Sequence, residues 1–277
     1  MIGLDGGRLA AVARKEIREY RRSPFIIGTM AVLPFVFMIN PLVVIFVLGA
    51  TVKAAAVERS VGSTFLVLLI VPAVIPASIA AYSVVGERDQ GTLEPLLTTP
   101  VRRGEILLGK ALAAIVPSVA MAYVLFALVV VLAHFFARNP TVVSTLSEGP
   151  HILAQALFAP LLAGWSIAAG MAISARASDV RIAQQLGTLA SLPPLGVTAL
   201  VSFQVLTPSV GVALGFGFGL LAIDVVMWLV VSAMFDRERL ITGARAQGAG
   251  ASGIGAQPGE VRRIPRTGGS DNGRGDT

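Results

Sequence analysis

A short glycine-containing run is the clearest match in this sequence to a pattern with known chemistry. Residues 104–110 read G-x-x-x-x-G-K, the spacing of a phosphate-binding loop. Such a loop follows a strand, donates backbone N–H groups to phosphate, and places Ser or Thr next to hold Mg²⁺. Here Ala111 comes next, and residues 105–108 read as the start of a helix entering an apolar segment. The context argues against nucleotide binding, so any ATP hydrolysis is expected in another polypeptide.

A single carboxylate lies deep inside an otherwise apolar segment. Asp224 follows Leu-Leu-Ala-Ile and precedes Val-Val-Met-Trp, so its sequence neighbours offer it no charge. An ionisable group within a membrane is costly and indicates a polar pathway or a paired partner. Asp224 is therefore a candidate intramembrane polar site. Facing a substrate path, binding a cation or proton, and hydrogen bonding to a neighbouring helix are the open roles.

The remaining reactive side chains form no recognisable catalytic set. The chain has no cysteine, and its two histidines, His134 and His151, are separated in sequence with no carboxylate cluster beside them. A metal site needs several such ligands, and neither an H-E-x-x-H nor a G-x-S-x-G run occurs. We therefore expect no metal, no cofactor and no enzymatic activity in this chain.

Hydropathy indicates which elements must position these residues. Hydrophobic residues make up 55% of the chain and charged residues only 14%, against about 25% charged in soluble proteins, which excludes two soluble domains. About 20 apolar residues cross a hydrocarbon core of about 30 Å. The sequence predicts an all-α membrane protein with six transmembrane helices, at 24–52, 61–85, 111–137, 152–175, 182–206 and 209–235.

Prolines make two of these spans irregular. Pro34 and Pro41 lie inside the first span, which predicts either a kinked helix or an interfacial start followed by the true span. Pro193 and Pro194 interrupt the fifth, and broken backbone is tolerated in a bilayer only where protein or a water-filled cavity covers it. The fifth segment is therefore either a span or a re-entrant half-span.

Basic residues indicate the orientation of the spans. Placing the amino terminus inside puts 19 of the 22 Lys and Arg residues on the cytoplasmic side, leaving Lys53, Arg59 and Arg138 outside. This is the bias expected when positively charged loops stay in the cytoplasm. The prediction is a multi-pass protein of the cell membrane with both termini cytoplasmic, and the net charge of +6 requires no nucleic acid to explain it.

The membrane domain, 24–240, has a distinct segment on each side. Residues 1–23 carry apolar side chains at helical spacing among basic ones, which predicts an amphipathic helix on the cytoplasmic membrane surface; a simple positively charged topology anchor is the alternative. Residues 241–277 are rich in Gly and Arg, with almost no large apolar residue. This composition predicts a disordered cytoplasmic tail.

Small residues repeat every four positions in two of the predicted spans. The fourth span contains Ser166, Gly170 and Ser174, and the sixth contains Gly211, Gly215 and Gly219. Small residues at this spacing let helices approach closely. Both stripes are interpreted as packing seams, either within one subunit or at a dimer interface.

The loop at 86–110, predicted to be cytoplasmic, has features of its own. It is too long for a tight connection between two helices. Thr92 is a plausible helix N-cap and Pro100 ends the element. Between them lies an apolar stripe at i, i+3 and i+4, formed by Leu93, Leu96 and Leu97. Exposed leucines on a short helix favour a partner groove, with packing onto the chain's own helix ends as the alternative.

This loop and its position resemble the permease subunits of type-2 ATP-binding cassette (ABC) transporters. The similar run is Glu87-Arg-Asp-Gln-Gly-Thr-Leu-Glu-Pro-Leu-Leu-Thr-Thr-Pro100, followed by Glu105-Ile-Leu-Leu-Gly-Lys110. The resemblance implies that the loop holds a coupling helix, which contacts a nucleotide-binding subunit, and that residues 1–23 form the connecting helix. It assigns the coupling contacts to Glu87, Gly91, Thr92, Leu93, Glu94, Leu96, Leu97 and Pro100.

The function that this resemblance implies is the permease of an ATP-driven transporter, with export favoured over import. Two permease subunits, identical or different, would join two cytoplasmic ATPase subunits that carry ATP and Mg²⁺. The alternatives are an ion-coupled secondary transporter or channel that uses Asp224, and an intramembrane enzyme. No inverted repeat supports the former and no catalytic set supports the latter. The substrate stays open.

Overall fold

The computed structural model describes residues 5–81, 85, 103–203 and 209–252, and within these residues the secondary structure is helical without strands. The chain divides into two units, Met1–Phe235 and Asp236–Thr277. The helices are α1 (Gly6–Tyr20), α2 (Pro24–Val47), α3 (Ala54–Ala81), α4 (Arg103–Phe136), α5 (Pro140–Leu146), α6 (Gly149–Ser174), α7 (Val180–Ala190), α8 (Leu192–Ser202) and α9 (Val210–Ser252). The all-helical prediction is confirmed for this part of the chain.

Five helices in the described residues are long and apolar enough to cross a membrane. Their apolar segments are Ile26–Val47, Ala54–Ala81, Gly104–Phe136, Gly149–Ser174 and Val210–Met234, which correspond to five of the six predicted spans. Three of them begin earlier than the predicted spans, α3 at Ala54 instead of 61, α4 at Arg103 instead of 111 and α6 at Gly149 instead of 152. The reason is that a helix does not stop where the hydrocarbon stops: the 34 residues of α4 reach about 51 Å, well beyond a core of about 30 Å.

The first span is a single helix. Ser23 caps α2 by accepting a hydrogen bond from the N–H of Ile26 at 3.5 Å, and Pro24 occupies the first turn, where its missing N–H is harmless. Pro34 and Pro41 both lie inside the helix. The segment is therefore not an interfacial start followed by a separate span.

The fifth predicted span is two helices, α7 and α8, of 11 residues each. Both run along α3 in the opposite direction. The backbone of Gly187 faces that of Ala77, and the carbonyl of Ser202 faces Gly62. Gly187 and Ser202 are fifteen positions apart in sequence, and so are Gly62 and Ala77. The α7–α8 pair therefore covers the same length of α3 as one continuous helix would.

The helix α3 is central to the first unit. It packs against α2, α4, α5, α6, α7 and α8. Small residues allow the closest approaches: a Cβ on Gly170 of α6 would lie 2.6 Å from the Cβ of Ala80, and Gly187 lies against Ala77. Because α3 is surrounded by protein, its buried face contains almost no charge. It ends at Ala81, five residues before the predicted loop at 86–110.

The second unit, Asp236–Thr277, is described up to residue 252, and this part is helical. The disorder expected for the tail at 241–277 stays a prediction.

Candidate functional site

The residues that flank the loop at 86–102 form a well-packed region. The predicted coupling residues themselves, Glu87, Gly91, Thr92, Leu93, Glu94, Leu96, Leu97 and Pro100, lie outside the described residues. On the amino-terminal side the described chain ends at Val85, and on the carboxyl-terminal side it resumes at Arg103. The contacts of these two flanks determine what the ends of the loop are attached to.

The carboxyl-terminal flank is the start of α4, which packs against α1. Asp5 caps α1 by accepting a hydrogen bond from the N–H of Gly7 at 2.9 Å. The N–H of Asp5 in turn donates to Oε1 of Glu105 at 3.1 Å. Glu105 is buried. The amino-terminal end of α1 is thus fixed to the first turn of α4.

The next turn of α4 approaches α1 more closely still. A Cβ built on Gly109 would lie 2.6 Å from Cγ1 of Val12 and 2.8 Å from its Cβ. Any side chain at Gly109 would therefore push the two helices apart. The predicted amphipathic helix at 1–23 is confirmed as a helix, Gly6–Tyr20, but part of its apolar face packs on α4. A position on the membrane surface stays a prediction.

An ion pair completes this junction. Nζ of Lys110 donates to Oε1 of Glu16 at 3.0 Å, and both side chains are at least 95% buried. The same carboxylate oxygen lies 3.3 Å from Nζ of Lys15, whose other partner is the exposed Glu19 at 3.0 Å. Desolvated charges are tolerated only when they are paired with good geometry. The pair therefore fixes the orientation of α1 on α4.

These contacts explain the G-x-x-x-x-G-K run. Residues 104–110 are helical, as predicted for 105–108. Within the run Glu105 and Lys110 bind α1, and Gly109 gives the space for Val12. The spacing of the motif is therefore that of a helix–helix junction.

The amino-terminal flank of the loop is attached to a different helix. Oγ of Ser174, at the end of α6, donates to the carbonyl oxygen of Ala81 at 2.9 Å and accepts from the N–H of Val85 at 3.2 Å. All of these atoms are buried. One turn earlier, Gly170 lies against Ala80. The stripe predicted in the fourth span is thus confirmed as a packing seam, and Ser174 also holds the chain as it enters the loop.

The break between α7 and α8 is covered by α6. Pro194 has no N–H, so the carbonyl of Ala190 lacks its usual helical donor. The indole Nε1 of Trp165 supplies one at 2.7 Å. Oγ of Ser166 lies 3.1 Å from Oγ of Ser191. Broken backbone inside a bilayer must be satisfied by neighbouring protein, and these side chains meet that requirement.

Asp224 contacts the same part of α6. Its Oδ2 lies 3.0 Å from the position of a Cβ built on Gly164, so the glycine makes room for the carboxylate. Its Oδ1 is buried and has no hydrogen-bond partner among the described residues. The structure therefore places this carboxylate at the α6–α9 contact, without a cation beside it in the described part of the chain.

Neither histidine belongs to the flanks of the loop or to the contact between Asp224 and α6. His134 is exposed near the end of α4. The ring of His151 stacks on Phe65 at 4.8 Å, and its Nδ1 lies 3.4 Å from Oε2 of Glu148. No group of three or more His, Cys, Asp or Glu side chains within the described ranges could hold a metal ion.

The glycine stripe of α9 makes no close contact within the described part of the chain. A Cβ on Gly215 or Gly219 meets no other atom within 4 Å, and one on Gly211 meets only Oγ of Ser209 at 4.0 Å. The glycine that does pack is Gly217, which faces Leu157 of α6. The stripe is thus left open on the surface of this chain.

Sequence reasoning missed Glu16, Ser174 and Trp165 as residues that hold the site. Glu16 carried a readable signal, since it lies four residues after Val12 and four before Tyr20 on one face of α1. Ser174 was recognised only as a small residue. Trp165 follows Gly164 in an apolar run, and no local pattern indicates its partner.

Comparison with known proteins agrees with this architecture. A family model described as "ABC-2 family transporter protein" matches residues 10–235, which is most of the chain and nearly all of the first unit. The sequence matches none of the curated proteins with which it was compared. Permeases of this family are non-catalytic, and the ATPase lies in a separate subunit. The chain therefore belongs to the ABC-2 family of transporters, as a multi-pass membrane permease.

Proposed function

We propose that this chain is the permease of an ATP-driven exporter and that the loop at 86–102 contacts the ATPase subunit. The observation that supports this most directly is the anchoring of both flanks of the loop, by Ser174 at Val85 and by α1 at Glu105 and Lys110 in the first two turns of α4. A force applied to a loop that is anchored at both ends is transmitted to the helices that anchor it. The coupling contacts are assigned to Glu87, Gly91, Thr92, Leu93, Glu94, Leu96, Leu97 and Pro100.

The proposed topology has both termini in the cytoplasm and six crossings of the cell membrane. The α7–α8 pair is the fifth crossing. Its length along α3, from Gly187 at Ala77 to Ser202 at Gly62, supports a full crossing over a re-entrant turn. Since the chain has no cysteine, single cysteines can be introduced near Lys53 and Arg245 and labelled from either side of the membrane. Labelling from the same side would contradict the topology.

The proposed assembly contains two permease subunits and two ATPase subunits, with ATP and Mg²⁺ bound to the latter. The open glycine stripe of α9 (Gly211, Gly215 and Gly219) is the face that we assign to the second permease subunit, identical or different. Small residues at this spacing let helix backbones approach closely in a membrane.

A direct test is co-purification with the candidate ATPase subunit. We expect Glu94→Ala combined with Leu97→Ala to abolish association and the permease-dependent stimulation of ATP hydrolysis. The control is Thr98→Ala combined with Thr99→Ala, two neighbours in the same loop to which no contact is assigned. Unchanged association and stimulation in the Glu94/Leu97 variant would contradict the coupling assignment.

A second function rests on Asp224, whose Oδ1 is buried without a partner among the described residues. An unpaired intramembrane carboxylate is typical of ion or proton coupling. Asp224→Asn removes the charge and keeps the shape, so transport that requires this carboxylate would be lost while expression stays normal. Full transport by Asp224→Asn would exclude a pathway role.

A further inference from the structure

The connection between α1 and α4 joins an amino-terminal helix to a segment about ninety residues later. Three contacts define it: Asp5 with Glu105, Val12 with Gly109, and Glu16 with Lys110. They spread over nearly the whole of α1 and over the first two turns of α4. Three separated contacts fix the position of a short helix as well as its rotation about its own axis.

The character of these contacts favours a rigid connection. The Glu16–Lys110 pair is at least 95% buried, and separating a desolvated ion pair of this kind is costly. At the Val12–Gly109 contact the side chain of Val12 occupies the space that a side chain at position 109 would need. By contrast, the Lys15–Glu19 pair on the same helix is about half exposed on both sides, as expected for a pair of little energetic weight.

The two ends of the loop are therefore held by different helices. Val85 is held by Ser174 of α6, whereas the other end continues into the first turns of α4, which are held by α1. A displacement of the loop relative to the membrane thus acts on α6 through one end and on α1 through the other.

We infer that α1 and the first two turns of α4 move as one rigid unit during transport, with Glu16 and Lys110 as the positioning residues that hold the carboxyl-terminal end of the loop at 86–102. This inference rests on the proposed function, because it assumes that an ATPase subunit acts on that loop. It assigns to α1 a part in energy transfer that does not depend on any lipid contact.

A disulfide across the junction tests the rigid unit. The chain has no cysteine, so Val12→Cys combined with Gly109→Cys gives it a single pair of cysteines. The variant is tested in the complete complex with its ATPase subunit. We expect the disulfide to form and the oxidised complex to transport as fast as the same complex after reduction. The oxidised parent complex controls for effects on the ATPase subunit.

Loss of transport on oxidation with recovery on reduction would overturn the inference, because it would mean that α1 separates from α4 in the cycle. If the parent chain itself neither binds the ATPase subunit nor stimulates its hydrolysis, the proposed function fails instead. The two failures are therefore distinguishable.

Charge exchange tests the two positioning residues. We expect Glu16→Lys and Lys110→Glu each to lower the amount transported per ATP hydrolysed in complexes that still assemble, and the double exchange to restore it. Glu19→Gln, which removes the exposed partner of Lys15, should leave this ratio unchanged. Full coupling in both single variants, or no recovery in an assembled double variant, would contradict the assignment.

Discussion

The indole nitrogen of Trp165 donates a hydrogen bond to the carbonyl oxygen of Ala190 at 2.7 Å, at the point where α7 ends. Pro194 lies four residues after Ala190 and cannot donate to this carbonyl as another residue would. A side chain from α6 thus replaces a backbone donor. This substitution lets a proline-interrupted segment stay within a membrane.

The first prediction concerns this donor. Trp165→Phe removes the indole N–H and leaves the Ala190 carbonyl without its donor, so we expect a loss of about 1–2 kcal/mol in the free energy of unfolding. Thermal unfolding of the purified protein measures it. Trp228→Phe is the control, because Trp228 is also half-buried against the core. Equal losses in the two variants would show that ring size, and not the hydrogen bond, matters.

The second prediction separates the two glycines of the G-x-x-x-x-G-K run. Gly109→Ala places a methyl group against Val12, and such overpacking typically costs about 1–3 kcal/mol. Gly104→Ala meets no atom within 4 Å and should be neutral. Unfolding of each variant in detergent gives the comparison. Equal destabilisation would contradict the close contact at Gly109, and ATP binding by the isolated chain would favour the phosphate-loop interpretation.

The third prediction concerns the buried ion pair. Lys110→Met leaves the Glu16 carboxylate with Lys15 alone, so we expect destabilisation of about 2–3 kcal/mol, somewhat less than is typical when one partner of a buried pair is removed. Adding Glu16→Gln removes the remaining charge and should recover most of the loss. Chemical unfolding of the single and double variants forms the test. A double variant no more stable than the single one would mean that the charge is not the cause.

The fourth prediction concerns the glycine stripe of α9. Gly215→Leu with Gly219→Leu adds bulk to an open face, so we expect the subunit to fold normally while dimers are lost. By helix propensity alone, each glycine-to-leucine change stabilises the helix by up to about 1 kcal/mol. Crosslinking in membranes measures dimer formation. Gly217→Leu should behave in the opposite way, because it collides with Leu157 and damages the subunit itself. Persistent dimers in the Gly215/Gly219 variant would place the interface elsewhere.

Hydropathy was sufficient to predict five helices because a bilayer requires about 20 apolar residues in each of them. It also indicated the irregular fifth segment, since Pro193 and Pro194 are visible in the sequence. The early start of α4 was predicted in part: residues 105–108 read as the start of a helix, but the span itself was predicted to begin at 111 because charged residues were taken to end it. In the folded chain two of the charged residues before the apolar segment, Glu105 and Lys110, bind α1.

Only those features of the site that depend on neighbouring residues in the sequence could be predicted. The helical reading of 105–108 followed from the residues themselves. The pairing of Glu16 with Lys110, and of Ser174 with Val85, joins positions about ninety residues apart. Nothing in either segment specifies the other, because the contact depends on how complete helices pack.

The central position of α3 has a consequence for how the chain is made. Its closest contacts, at Gly62, Ala77 and Ala80, are with α6, α7 and α8, which are all synthesised later. Insertion of α3 into the bilayer and burial of its surface are therefore separate events. A nascent chain that ends before α6 lacks the partners of the closest contacts of α3. The bundle can close only when nearly all of the first unit has left the ribosome.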